Sequence, residues 1–167
     1  MKITIRNEEP KDIDQVRAIV CAAFPTEAES KLVDALRANG TAIISLVAVN
    51  DAEVLGHIMF SPVTTAPPTN AKGIGLAQVA VRPDMQSQGI GSQLIREGLR
   101  LCRDLDFDYC VVLGNPKYYG RFGFKRAIEA GIRNEYGEDE AFMCISFTDC
   151  AVTGLAQYAP EFAQFSL

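Results

Sequence analysis

Apolar positions change period along the chain, and each change marks an element. Residues 2–7 (KITIRN) alternate as a half-buried strand does. From Pro10 the period lengthens, and Ile13, Val16, Ile19 and Val20 share one helical face until Pro25-Thr-Glu interrupts it. A second helix carries Leu32, Val33 and Leu36 and stops at Asn39-Gly40. Two apolar runs rich in β-branched residues, 43–49 and 54–63, are joined by Asn50-Asp-Ala-Glu53 and predict a β-hairpin. Residues 64–72 (TTAPPTNAK) read as a mobile proline-rich loop, and 73–81 as a further strand ended by Arg82-Pro83.

Between 91 and 105 the helical period returns. Leu94, Ile95, Leu99, Cys102 and Leu105 line one face, with Arg96, Glu97, Arg100 and Arg103 elsewhere. A short apolar strand follows at 109–113, then a turn and short helix at 115–122, and a strand starting at 123–125. An acidic loop (NEYGEDE, 134–140) precedes a last strand at 141–147, and residues 148–167 show no pattern that places them. The order β-α-α-β-β-β-α-β-α-β-β describes a mixed α/β domain. Within it 73–81, 91–105 and 109–113 form a parallel βαβ unit whose helix crosses one face of the sheet. A single domain over 1–167 is expected, with its pattern-bearing core at 2–147.

Composition narrows the function. The chain is 48% hydrophobic and 22% charged, with a net charge of −5 and no basic run. This argues against nucleic acid and membrane surfaces as partners and suits a cationic one. No apolar stretch approaches the roughly 20 residues of a membrane helix, and the N-terminus lacks the apolar core of a signal peptide. The five cysteines are scattered without zinc or CxxC spacing, which predicts buried free thiols in a reducing cytoplasm and no metal.

Candidate chemistry centres on MQSQGIGSQLI (85–95), where a polar loop becomes an amphipathic helix across two glycines. Free N–H groups and the positive dipole end at a helix start suit an anion. The string lacks the GxxxxGK(S/T) of a P-loop and the third glycine of a dinucleotide fingerprint. What remains is Q-x-x-G-x-G, which holds a diphosphate on its amides or simply packs a helix tightly on the sheet.

Val81-Arg-Pro-Asp-Met-Gln86-Ser-Gln-Gly89-Ile-Gly91-Ser resembles the acetyl-CoA signature R/Q-x-x-G-x-G/A of the GNAT superfamily of N-acyltransferases. Tyr118-Tyr119-Gly-Arg-Phe-Gly123-Phe124 resembles that family's Y-x-x-x-G-F segment, and the element order matches over about 2–147. The linker Gly114-Asn-Pro-Lys-Tyr-Tyr is similar to that of a subgroup of small bacterial N-acetyltransferases. The resemblance implies a GNAT-like mixed sheet, splayed between its fourth and fifth strands (73–81 and 109–113), with helices on both faces. It also implies an acetyl-CoA-dependent N-acetyltransferase. The pantetheine would pair with backbone groups of Val79 and Val81, and the pyrophosphate would sit on Gln86, Ser87, Gln88, Gly89, Ile90, Gly91 and Ser92. A backbone N–H near Val79 would polarise the thioester.

The same resemblance makes Tyr119 the acid that protonates the leaving thiolate, against a core or cofactor contact. Tyr118, about 100° round the helix, is expected in the core. Asn115 serves either the pantetheine or a helix N-cap. Glu27, Glu29, Gln78 and Glu135 are the substrate-side candidates, each also readable as an ordinary polar residue, and His57 is either a base or a structural strand residue. Acyl transfer to a cationic primary amine is the leading reading, a non-catalytic acyl-CoA-binding or regulatory module the alternative. A homodimer is compatible with either.

Overall fold

The computed structural model describes residues 1–165. The chain forms two compact units, one of Met1–Ser61, Ala77–Gly98 and the segment from Pro160, the other of Pro62–Leu76 and Leu99–Ala159. In the first, β1 (Thr4–Asn7) pairs antiparallel with β2 (Ile44–Asn50), which pairs antiparallel with β3 (Glu53–Ala66). The hairpin register sets Val47 opposite His57, with a bulge at Ala48/Val49. Asp51, at φ 53°, takes the left-handed conformation that a two-residue turn needs.

Helix α1 (Ile13–Ala23) is entered through a 3-10 turn at Pro10–Asp12. The Asp12 carboxylate accepts the Glu9 N–H at 2.7 Å and is gripped by Arg6 at 2.7 and 3.0 Å. That arrangement fixes where the helix begins. Its stripe of Val16, Ile19 and Val20 packs on Val47 and Val49 of β2, Val54 of β3 and Ala80 of β4 (Gly73–Val81). Helix α2 is Ala28–Ala38, and Leu32, Val33 and Leu36 form its buried face.

Helix α3 (Ile90–Asp104) crosses β3 closely. A Cβ at Gly56 would lie 3.0 Å from Leu94 and 3.2 Å from Ile90, and one at Gly98 would strike the Phe60 ring. Adjacent strand residues point to opposite faces. Gly56 therefore meets α3 on one face, while His57 shares the other with its register partner Val47, on which α1 packs, so this unit has helices on both faces of its strands.

In the second unit β4 pairs parallel with β5 (Tyr109–Leu113), which confirms the βαβ expectation. The ladder covers only Gly73↔Tyr109, Ile74↔Cys110 and Gly75↔Val111. Beyond Gly75, β4 runs on to Val81 with no further β5 register partner among the described residues. Strand β8 (Phe142–Ser146) lies antiparallel to β5, and β6 (Lys125–Arg126) antiparallel to β8. Between β5 and β6 sits α4 (Pro116–Gly120).

The segment left unplaced by pattern supplies β9 (Gly154–Tyr158) and α5 (Glu161–Gln164). Strand β9 pairs with Val63–Ala66 and, in parallel, with β7 (Ile132–Asn134). Residues 64–66 are thus the end of β3 and not the start of a mobile loop, because a distant strand completes their hydrogen bonds. Leu105 is also corrected: it lies past the end of α3 and is exposed. Cys102, Cys110 and Cys144 are buried as expected, but Cys21 and Cys150 are exposed. No helix among the described residues is long and apolar enough to cross a membrane.

Phe60 is fully buried, so it cannot yield to a new methyl group on α3. Gly98→Ala is expected to destabilise the fold by about 1–3 kcal/mol through overpacking. Chemical denaturation checks this; an unchanged midpoint would show that the α3–β3 contact is looser than described.

Candidate active site

After Val81 the chain is pinned before it is opened. Arg82 N–H donates to Leu55 O at 2.8 Å, and its guanidinium bonds Asp84 at 2.7 Å and Glu53 at 2.9 Å. A 3-10 turn, Pro83–Met85, follows, with the Met85 side chain buried as an anchor. Gln86 Nε2 donates to Val81 O at 3.2 Å, folding the loop back over the strand end. Ser87 (φ 63°) and Gly89 (φ 84°) then take left-handed conformations on either side of Gln88. A Cβ at Gly89 would meet nothing within 4 Å, so its backbone faces open space.

The first helical donor of α3 is Gln93 N–H, bonded to Gly89 O at 3.1 Å. Among the described residues, none of the six preceding N–H groups, from Ser87 to Ser92, donates to a protein acceptor. The loop from Gln86 to Gly89 is exposed, whereas the Ile90 side chain is in the core and leaves only its N–H to offer. Undonated amides at the positive end of a long helix form an anion site. Val79 and Val81, half-buried on β4, and the buried Gln78 belong to the same unit.

Tyr119, Asn115 and Glu135 belong to the second unit. The Asn115 Oδ1 accepts Lys117 N–H at 2.9 Å, an N-cap that commits this oxygen and leaves the side-chain amide. Tyr119, not Tyr118, is the buried member of the tyrosine pair, reversing the expectation. Its ring packs edge-on against Tyr118 (5.1 Å) and Phe124 (5.7 Å), and the lack of a side chain at Gly114 makes room for it. Helical spacing gave no weight to Phe124 or Gly114, which decide the orientation. Burial pushes the Tyr119 phenol above its usual 10, so it keeps its proton.

The acidic candidates have local partners. Glu27, exposed, lies 3.6 Å from Lys31, and Glu29 accepts the Thr26 hydroxyl at 3.4 Å, both at the start of α2 where acids favour a helix. Glu135 accepts Tyr158 N–H at 3.1 Å. In the loop that follows, Asn134 Oδ1 accepts Tyr136 N–H at 2.9 Å and Glu138 N–H at 3.1 Å.

Comparison with known proteins agrees with this local chemistry. The model of the acetyltransferase (GNAT) family matches residues 13–124. The chain is similar to the Escherichia coli K12 N-acetyltransferase YhbS, 36% identical over 166 residues that cover 96% of this chain and 99% of the relative. The chain belongs to the GNAT acetyltransferase family. A crystal structure of Escherichia coli YhbS in complex with CoA superimposes at TM-score 0.93 with 34% identity, covering 100% of this chain and 95% of that one. A Brucella melitensis GNAT acetyltransferase in complex with acetyl-CoA superimposes at TM-score 0.83 with 37% identity, covering 96% and 98%. This member of the GNAT family is accordingly an acyltransferase with the family's mixed α/β fold.

In the same unit as its glycine loop, this GNAT chain holds a polar chain, buried at its His57–Gln78 end, that periodicity did not reveal. Arg37 bonds the Glu8 carboxylate at 2.6 and 3.1 Å, and Ser45 Oγ lies 3.0 Å from Glu8 and 2.8 Å from His57 Nε2. His57 Nδ1 meets Gln78 Nε2. A carboxylate only accepts, so Ser45 spends its one proton on Glu8 and must accept the Nε2–H of His57. Nδ1 then carries the lone pair and accepts from the Gln78 amide. Gln78 Oε1 is left buried without a donor among the described residues, an arrangement that costs about 1–3 kcal/mol. The available signal was register: Ser45 and His57 are inward polar residues inside two apolar strands.

His57 is wholly buried, and that burial lowers its pKa from 6.5 to about 4. Burial thus holds the ring neutral, with both of its nitrogens committed inside the chain. A depressed histidine takes up its proton on unfolding, so its stabilising effect is complete above about pH 6.5 and falls as the pH drops towards 4. The loss is expected to reach about 3 kcal/mol at pH 4, and to be absent in His57→Leu. Urea melts between pH 4 and 7 measure it; equal slopes for both proteins would contradict the burial argument.

Proposed function

We propose that the chain transfers the acetyl group of acetyl-CoA directly to a cationic primary amine in a ternary complex. The observation that carries this is the run of six undonated amides, Ser87 to Ser92, at the start of α3. Their number and the alternating left-handed backbone fit a diphosphate. Coenzyme complexes of two relatives over a third identical support the same ligand.

The coenzyme supplies an activated thioester, and the chain's residues do the rest. Val79 and Val81 offer backbone groups to the pantetheine on the part of β4 that β5 does not pair, in the manner of an added strand. Asn115 adds the amide left over from capping. Val79 N–H polarises the acyl oxygen. The amine nitrogen forms a bond to the acyl carbon as the carbon–sulfur bond breaks; the amine loses one proton and the sulfur gains one.

A lysine-like amine of pKa about 10.4 is neutral in about one molecule in 2,500 at pH 7, a handicap of about 4.6 kcal/mol. Glu27, Glu29 and Glu135 provide the negative charge that draws such a cation. Tyr119 acts as the acid at sulfur. Its pKa is raised above that of a thiol, about 8.5, so it stabilises the leaving group through a hydrogen bond that strengthens as charge develops, and it is fully protonated at working pH.

Acetyl-CoA is expected to raise the melting temperature where ATP and NAD do not. Gly89→Glu places a carboxylate at the mouth of the loop and should weaken acetyl-CoA binding by about 100-fold or more, about 3 kcal/mol by calorimetry. Unaltered affinity there would remove the loop from the site. Tyr119→Phe should cut kcat by about 10²-fold or more and leave acetyl-CoA affinity within about threefold, in a thiol-release assay with an amine panel. Turnover at the wild-type rate would end its role as acid.

A further inference from the structure

The β4 segment that carries Val79 lies past the last β5 register partner, Gly75, so it is held by its neighbour β3 on one edge and lacks the β5 ladder on the other. A donor that polarises an acyl oxygen must nevertheless be held closely, since a shift of about 1 Å can cost about 10²-fold in rate. The residue before Val79 is Gln78, and it is the end of the buried polar chain. That chain ties β4 to β3 through His57, to β2 through Ser45, to the segment after β1 through Glu8 and to α2 through Arg37. Every member lies in the same compact unit as Val79.

Each hydrogen in the chain has one permitted direction, set by the Arg37–Glu8 ion pair at its far end. The Gln78 amide therefore has a single orientation. The chain is a poor stabilising device, because it buries a histidine and leaves Gln78 Oε1 without a donor. An apolar pair of similar volume would hold the fold at least as well. Buried polar groups kept unsatisfied in this way call for a reason other than stability.

We propose that the chain from Arg37 to Gln78 is a positioning device that fixes the Val79 main chain against the acyl oxygen, with His57 and Gln78 as positioning residues. This rests on the acetyltransferase reading. The device predisposes one strand position for catalysis and takes no part in proton transfer.

The test uses the full chain with Gln78→Leu, His57→Leu and the double variant, measuring melting temperature, acetyl-CoA affinity and kcat. Each single variant should lose about 10–100-fold in kcat while acetyl-CoA affinity stays within about threefold, and should melt lower because its partner is left buried and unpaired; in the double variant the melting temperature should recover and kcat should not. The double variant should be no slower than the slower single one, because both break one chain. A merely structural role gives single variants that melt lower at wild-type kcat, or a double variant whose kcat recovers together with its stability, and either result would overturn the proposal. Gln78→Glu supplies a second reading: an ionised carboxylate cannot donate to His57 Nδ1, so ionisation of the pair puts a proton on the imidazole there. Its titration, seen by NMR in the chain's single histidine, should then be followed by kcat. Titration without a matching kcat profile, or failure of all these variants to fold, also overturns it. A wild-type protein that acetylates no amine would instead sink the acetyltransferase reading itself, whereas wild-type turnover with unaffected variants sinks only this inference.

Discussion

Six backbone N–H groups with no protein acceptor, gathered where a fifteen-residue helix begins, are the constraint around which this chain is organised. Amides in that state are tolerable only at an open surface, where water or an anion can reach them. The loop must stay exposed while both of its flanks are held rigid. Arg82 clamps the strand side through Asp84 and Glu53, and Met85 and Ile90 sink their side chains on either side of the exposed turn. Gly56 lets α3 approach β3, so the helix start is braced from below. The glycine at 89 is needed for its left-handed backbone and not for space, since its vacant side has nothing near it.

The same division between rigid support and exposed chemistry recurs around Tyr119. A five-residue helix has little stability of its own, so its orientation comes from an Asn115 cap and a cluster of aromatic rings. Burial keeps the phenol protonated, which suits the role proposed for it at sulfur. Against this, Glu27, Glu29 and Glu135 retain ordinary local partners. The polar chain ending at Gln78 adds a further kind of support, a run of directional hydrogen bonds between strands. Such bonds fix orientation in a way that dispersion contacts do not.

Where the sequence misled, a partner from far along the chain was responsible. Residues 64–66 have the composition of a loop, yet they pair with β9, more than eighty residues later. Residues 148–165 have no marked period, because β9 is only five residues long and α5 four, too short for periodicity to register. Tyr118 and Tyr119 differ by one position in a helix, and which is buried depends on Phe124 and on the missing side chain of Gly114. His57 and Gln78 are separated by twenty-one residues and joined only by strand register.

Local patterning by itself determined the strand at 73–81, the amphipathic helix after it, the strand at 109–113 and the parallel unit they make, because each repeats its period over enough residues to dominate the chain. It also located the glycine loop, since left-handed turns and helix starts are governed by neighbours in sequence. Tertiary structure alone decided where the β4–β5 ladder stops, which tyrosine is buried, and that a neutral histidine orients Gln78. Those outcomes depend on groups brought together across the fold, and the hydrogen-bond direction or packing volume that settles them has no counterpart in the order of residues along one segment.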